Sequence, residues 1–157
     1  MFRKTFTKEQ ALQKARDYCA YQERCHKEVK EKLYDFGFYK NDTEEILAKL
    51  VDENYLNEER FVVQFAGGRF RIKKWGKVKI KYELKQKRVS DYCIKKALSA
   101  INEKDYLKTI QKLYSEKLKS LKSEKNIFIR ARKLQNHLLQ KGYEADIINK
   151  LIDYKAD

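Results

Sequence analysis

Residues 69–88 read RFRIKKWGKVKIKYELKQKR. Ten cations, Arg69, Arg71, Lys73, Lys74, Lys77, Lys79, Lys81, Lys85, Lys87 and Arg88, are opposed there only by Glu83. On a helix beginning at about Lys77, Ile80 and Leu84 lie four apart on one stripe, and Lys77, Lys81 and Lys85 repeat on the stripe beside it. An apolar seam flanked by a basic face fits a surface that meets a polyanion. It also fits a solvated helix flank, the commonest use of a charge run.

The surplus charge is unevenly placed. Residues 1–54 balance 11 Lys and Arg against 11 Asp and Glu, residues 55–101 set 13 against 4, and residues 102–157 set 13 against 8. A neutral first third beside a strongly basic middle points to a directional binding surface, with nucleic acid the commonest partner. An anionic membrane surface or an acidic protein groove satisfies the same electrostatics. Charged residues at 38%, no Pro and five Gly favour an all-α protein over a turn-rich β fold. No apolar run approaches bilayer length, and the start MFRKTFTKEQ lacks the apolar region of a signal peptide, so a cytoplasmic location is expected. Cys19, Cys25 and Cys93 are expected to be reduced thiols.

Helix signals run the length of the chain. Thr7 with Gln10 makes a capping box ahead of a helix from about Lys8 to Gln22. Val29, Leu33 and Phe36 mark a second helix stopped by Gly37, and Asp42 or Thr43 is placed to cap a third bearing Ile46, Leu47, Leu50 and Val51, with Asn54 as its stop. Asn57 caps a fourth, followed by Glu58 and Glu59, with Phe61, Phe65, Gly68 and Ile72 as its stripe. Gly67 and Gly68 inside that helix suggest a bend or the close approach of another backbone, the second being favoured. After a turn at Trp75 and Gly76 comes the basic helix, and Ser90 caps a sixth with Cys93, Ile94, Ala97, Leu98 and Ile101. A long seventh helix runs from about Tyr106 to Leu121. Ile127, Ala131, Leu134 and Leu138 follow on the eighth, closed by Gly142, and Ile147, Ile148, Leu151 and Ile152 lie on the ninth.

Nine helices sort into three sets of three. Val29 and Leu33 precede FGF, Ile80 and Leu84 precede KRV, and Leu134 and Leu138 precede KGY. This internal repeat predicts three tandem three-helix repeats, at 1–54, 55–101 and 102–157, forming an elongated curved array. With no hydrophobic stripe left over, such an array is expected to be a monomer.

The segments LVDENYLNEERFVVQF (residues 50–65) and KKWGKVKIKYELKQKRVS (residues 73–90), within this tandem architecture, resemble the RecX family of bacterial RecA regulators. The resemblance spans Ala11 to Leu151. It implies binding in the helical groove of RecA filaments on DNA, opposing strand exchange and ATP hydrolysis. The chain departs from the family at Arg88, where a glycine ends the fifth helix, and at Cys25, where a serine often caps the second.

Candidate contact residues for the filament or its DNA are Arg69, Arg71, Lys73, Lys74, Lys77, Lys81 and Lys85, with Trp75 and Tyr82 as aromatic candidates for stacking on bases. Phe70 reads more simply as core. The cations are mostly Lys, a point charge, so binding should be sequence-independent and salt-sensitive. Cys19, Cys25 and His26 lack the partner spacing of a zinc site. No catalytic constellation, phosphate loop or cofactor motif is present in the sequence, which argues against an enzyme. The rival is a stand-alone helix-turn-helix-like nucleic-acid-binding protein, against which the third helix of each unit reads as the less basic one, residues 43–52 being acidic and the ninth helix close to neutral.

Overall fold

The computed structural model describes residues 6–153. Among these, every regular element is a helix: α1 (Lys8–Tyr21), α2 (His26–Asp35), α3 (Lys40–Asp52), α4 (Glu58–Lys73), α5 (Lys77–Gln86), α6 (Asp91–Ser99), α7 (Glu103–Ser120), α8 (Ile127–Gln140) and α9 (Ala145–Asp153). Packing divides the chain into two compact units, one formed by residues up to Phe65 with Leu84–Ala97, the other by Ala66–Glu83 with residues from Leu98 onward. The division passes through α4, α5 and α6.

The three-fold repeat is written in the backbone. The second helix of each set ends on a residue with positive φ, Gly37 at 89°, Arg88 at 58° and Gly142 at 95°. In each case the next N–H reaches back to the repeated leucine: Phe38 to the Leu33 carbonyl at 3.0 Å, Val89 to Leu84 at 3.3 Å and Tyr143 to Leu138 at 3.2 Å. These are Schellman closures, in which the left-handed residue and the apolar residue after it satisfy the last carbonyls of the helix. Leu33, Leu84 and Leu138 are fully buried, and Phe38, Val89 and Tyr143 bury the position after the turn. Arg88 therefore keeps the turn its family departure put at issue, with a side chain where glycine is less strained.

In the first unit α1, α2 and α3 close around Ala11, Leu12, Ala15, Cys19, Val29, Leu33, Ile46, Leu47 and Leu50. Thr7 and Gln10 form the expected capping box, at 2.9 and 3.1 Å, and Asn54 stops α3 at φ 62°. The start of α3 differs from expectation. Its cap position is Tyr39, because Thr43 turns into the core with 2% exposure while Asp42, inside the first turn, pairs with Lys8 at 3.0 Å. Cys25, the cap residue of α2, is buried, and its N–H donates to Glu28 at 3.0 Å. Burial pushes the Cys19 and Cys25 thiols up to about 11, as suits small apolar fillers.

The inward face of α4 carries Phe61, Val62, Ala66 and Phe70, all buried, with Phe65 half-buried. Gly68 and Ile72 are not part of it: Ile72 is 81% exposed. The stripe predicted from Phe61 and Phe65 holds in the first half of the helix and leaves the inward face at Gly68 and Ile72, because that face continues through Ala66 and Phe70. Nor does another backbone approach the glycine pair. A Cβ on Gly68 would stand in open space, and one on Gly67 would meet only the end of the Arg71 side chain, at 2.7 Å.

In the second unit the turn before α5 docks on the turn between α8 and α9. The Gly76 N–H donates to the Lys141 carbonyl at 2.8 Å, and the Val78 and Lys79 N–H groups reach the Gly142 carbonyl at 2.9 and 3.4 Å. The Lys77 N–H donates to the Tyr106 hydroxyl at 2.8 Å, and that hydroxyl donates in turn to Glu144. Burial, reinforced by the hydrogen bond to Glu144, raises the Tyr106 phenol far above its usual range and keeps it protonated. Phe70, Tyr106 and Tyr143 stack in sequence, with centroids 5.7 and 5.2 Å apart.

Replacing Gly68 by Ala should raise thermal stability by about 1 kcal/mol, a shift of roughly 3 °C, since the site is helical and open. By contrast, Gly142→Ala should cost about 3 kcal/mol or more, because the new Cβ would carry positive φ and meet the Lys79 Cβ at 2.2 Å. Tyr106→Phe should cost about 1 to 3 kcal/mol by leaving the buried ends of its two hydrogen bonds unpaired. Thermal melts of the three variants followed by circular dichroism check all of these.

Candidate nucleic-acid interface

Arg69, Arg71 and Lys73 occupy the last turns of α4, Lys74 to Gly76 form the turn, and Lys77, Lys79, Lys81, Tyr82 and Lys85 follow along α5. Lys74 adopts φ 61°, its carbonyl accepts from the Tyr143 hydroxyl at 2.8 Å, and the Trp75 N–H bonds back to the Arg69 carbonyl at 3.2 Å. The turn that carries Trp75 is thereby fixed at both ends.

Three cations gather on that indole. The Arg69 guanidinium lies 5.5 Å from the Trp75 ring centroid, the Lys73 ammonium 5.3 Å and the Lys79 ammonium 4.6 Å. Each such contact is worth roughly 0.5 to 1 kcal/mol at a partly exposed site, and none of them neutralises charge. Lys73, Lys79, Lys81 and Lys85 form no ion pair with a described carboxylate. The result is a half-buried aromatic plate with Arg69 beside it and the ammonium groups of Lys73 and Lys79 close to it, which can take a phosphate backbone by counterion release and offer a ring edge to a base.

The other sequence-named residues separate into different settings. Arg71 and Lys74 line a cleft of about 260 Å³ with Phe70, Asp105, Lys108 and Thr109, and the Lys74 ammonium donates to the Arg71 carbonyl at 2.8 Å. Lys77 is put to structural use: its ammonium lies over the Tyr106 ring at 4.8 Å and pairs with Glu103 at 3.6 Å, with 22% of its side chain exposed. Of the Lys77, Lys81 and Lys85 stripe, then, only Lys81 and Lys85 are exposed, and Lys85 belongs to the first unit. Tyr82 is exposed at 61%. Phe70 is buried, as its apolar setting implied. Lys79 was named among the ten cations but not as a contact residue, because Trp75 lies in the turn before α5 and the turn, not helical spacing, brings the two together. Lys108 carried no signal either, because it reaches Lys74 only through the packing of α7.

Among the described residues no group of three or more His, Cys, Asp and Glu side chains is placed to hold a metal ion, and no helix is long and apolar enough to cross a membrane.

The chain is similar to known proteins along most of its length. Family models described as the first, second and third three-helix domains of RecX match residues 11–50, 57–98 and 103–152 in that order. Regulatory protein RecX of Prosthecochloris aestuarii is 31% identical over 91% of this chain and 91% of its own length. Regulatory protein RecX of Clostridium perfringens is 33% identical over 80% of this chain but only 59% of its own length, and that of Bacillus licheniformis 30% identical over 93% and 56%. The chain thus spans little more than half the length of these two relatives. The crystal structure of RecX from Lactobacillus salivarius superposes with a TM-score of 0.83 at 26% identity, covering 94% of this chain and 95% of that one. A second crystal structure of regulatory protein RecX shares the fold with a TM-score of 0.79 at 21% identity, over 93% and 73% of the two chains. With its three Schellman-closed helix sets matched in order by the three domain models, this chain belongs to the RecX family of regulatory proteins.

Proposed function

We propose that this protein is a non-enzymatic regulator that binds RecA nucleoprotein filaments on DNA and inhibits strand exchange and ATP hydrolysis. It acts in the cytoplasm as a monomer, through the middle repeat, residues 55–101. Family membership supports a regulatory role on RecA. The observation that carries the contact surface is the ring of Arg69, Lys73 and Lys79 around Trp75, continued by exposed Lys81 and Tyr82 along α5.

Lysine predominates in this surface, so it recognises charge density rather than base edges. A filament suits such a surface because it presents regularly spaced phosphates beside protein, and both can be met without sequence readout. The cleft bearing Arg71, Lys74 and Lys108 supplies a second cationic contact, tempered by Asp105.

Purified protein added at stoichiometry to RecA on single-stranded DNA should suppress ATPase turnover and strand exchange, and unchanged rates of both remove the proposed role. Protection of one short duplex sequence at moderate salt would favour a stand-alone DNA binder instead. The triple variant Lys73→Glu, Lys79→Glu, Lys81→Glu should retain native helicity yet lose inhibition. Its affinity for the filament should also depend less on salt, the log–log slope falling by roughly 2, or about 0.7 for each lost phosphate contact. Reversal of Lys104 and Lys112 on α7 should change neither. Inhibition by the α4–α5 triple variant equal to that of the parent protein would refute the site assignment.

A further inference from the structure

The second unit carries an apolar groove unrelated to the cations around Trp75. It encloses about 500 Å³ between the C-terminal half of α7, the first turns of α8 and the end of α9. Leu118, Ile127, Leu134 and Ile152 line it. Phe128 stands at its edge, 79% exposed, flanked by Ile127 at 48% and Ile129 at 44%. Single exposed apolar residues are ordinary, but three in succession beside an apolar groove mark an interaction surface. Ile127 had been read as part of the core stripe of α8, and the structure leaves it half outside.

The exposed turn is held in place. The Asn126 side chain accepts from the Phe128 and Ile129 N–H groups at 3.0 and 3.2 Å, capping α8. The Asn126 N–H is itself bonded to Glu124 at 3.3 Å. The apolar residues are thus presented from the first turn of a capped helix.

Charge selects the occupant. Lys119, Lys122 and Arg130 line the groove, and among the described residues no Asp or Glu does. The neighbouring carboxylate, Glu124, is engaged by Asn126 and by Lys133 at 3.9 Å. The geometry points to a docking groove for an acidic amphipathic peptide segment of a partner protein, its large apolar side chains on Leu118, Phe128 and Leu134 and its carboxylates on Lys119, Lys122 and Arg130. A second copy of this chain is a poor occupant, because like grooves would bring cations onto cations in a protein of net charge +14. A phosphate backbone is a poor one too, because it could meet the cations at the rim but would leave the apolar surface of Leu118, Ile127, Leu134 and Ile152 uncovered. The inference is independent of the role assigned to the Trp75 surface, since no lining residue is shared.

The probe is a fluorescein-labelled peptide of about 15 residues, with Leu at helical i, i+3, i+4, i+7 spacing and Glu elsewhere. Titrated with the full chain and followed by fluorescence polarisation, it should bind saturably. Phe128→Ala should weaken binding by roughly tenfold or more, and so should the pair Lys119→Glu, Lys122→Glu. Melting temperatures should be unchanged, since Phe128, Lys119 and Lys122 are exposed. The same peptide with Lys in place of Glu should not bind. Four results would each overturn the assignment: no saturable binding, equal binding of the Lys peptide, binding indifferent to both variants, or displacement of the peptide by a single-stranded oligonucleotide whose own binding Phe128→Ala abolishes. A concentration-dependent dimer lost in Phe128→Ala would assign the groove to a second copy instead.

Discussion

The meeting of two glycine turns, Gly76 against Gly142, holds the basic helix where it is. A Cβ on Gly76 would lie 2.3 Å from the Gly142 carbonyl oxygen, and one on Gly142 would lie 2.2 Å from the Lys79 Cβ. Only a pair of residues without side chains lets the two backbones approach so closely. The approach has a chemical purpose. Helix α5 begins with no acidic residue in its first turn, and its free N–H groups find acceptors in the Gly142 carbonyl and the Tyr106 hydroxyl. A helix end that most proteins cap with a local side chain is here capped by tertiary structure. The direction of α5, and with it the placing of Lys79 and Lys81, is therefore coupled to the packing of α7, α8 and α9.

This coupling explains which parts of the molecule were legible in the sequence. The repeat could be read because it rests on local rules: a buried leucine, a left-handed position and an apolar residue one step later, at residues 33–38, 84–89 and 138–143. Arg88 shows that the rule concerns backbone geometry rather than glycine itself. The caps Thr7, Asn57 and Ser90 were readable for the same reason, each bonding a backbone N–H three residues ahead. The start of α3 was misread where tertiary packing claimed the side chain, Thr43 being drawn inward. The glycine pair in α4 was misread because open space leaves no trace in a sequence.

The proposed contact surface was legible in composition and not in arrangement. A run of ten cations announces a basic surface, yet residues 77, 81 and 85, equivalent on a helical wheel, meet three different fates. Lys77 is drawn over Tyr106 toward Glu103, Lys81 is exposed in the second unit and Lys85 is exposed in the first. Tyr106 lies 29 residues beyond Lys77, so no periodicity could pair them. Trp75 was visible as an aromatic among cations, but its three-cation surround depends on the turn that brings the end of α4 back beside the start of α5.

The position of these cations argues for function over stability. Arg71 and Lys73, in the last turn of α4, complement its macrodipole. Lys77 and Lys79, in the first turn of α5, oppose theirs, at a cost of roughly 0.3 to 1 kcal/mol each. A chain selected for stability alone would place Asp or Glu there, as it does at Glu58 and Glu59 in α4 and at Glu103 and Asp105 in α7. The two unfavourable lysines are tolerated because aromatic faces accept them, Lys77 over Tyr106 and Lys79 over Trp75. A polyanion arriving beside Trp75 would meet Lys79 and exposed Lys81, relieving the repulsion that the free protein carries. A helix start with no acidic residue and two lysines in its first turn is one whose repulsion a bound anion would relieve.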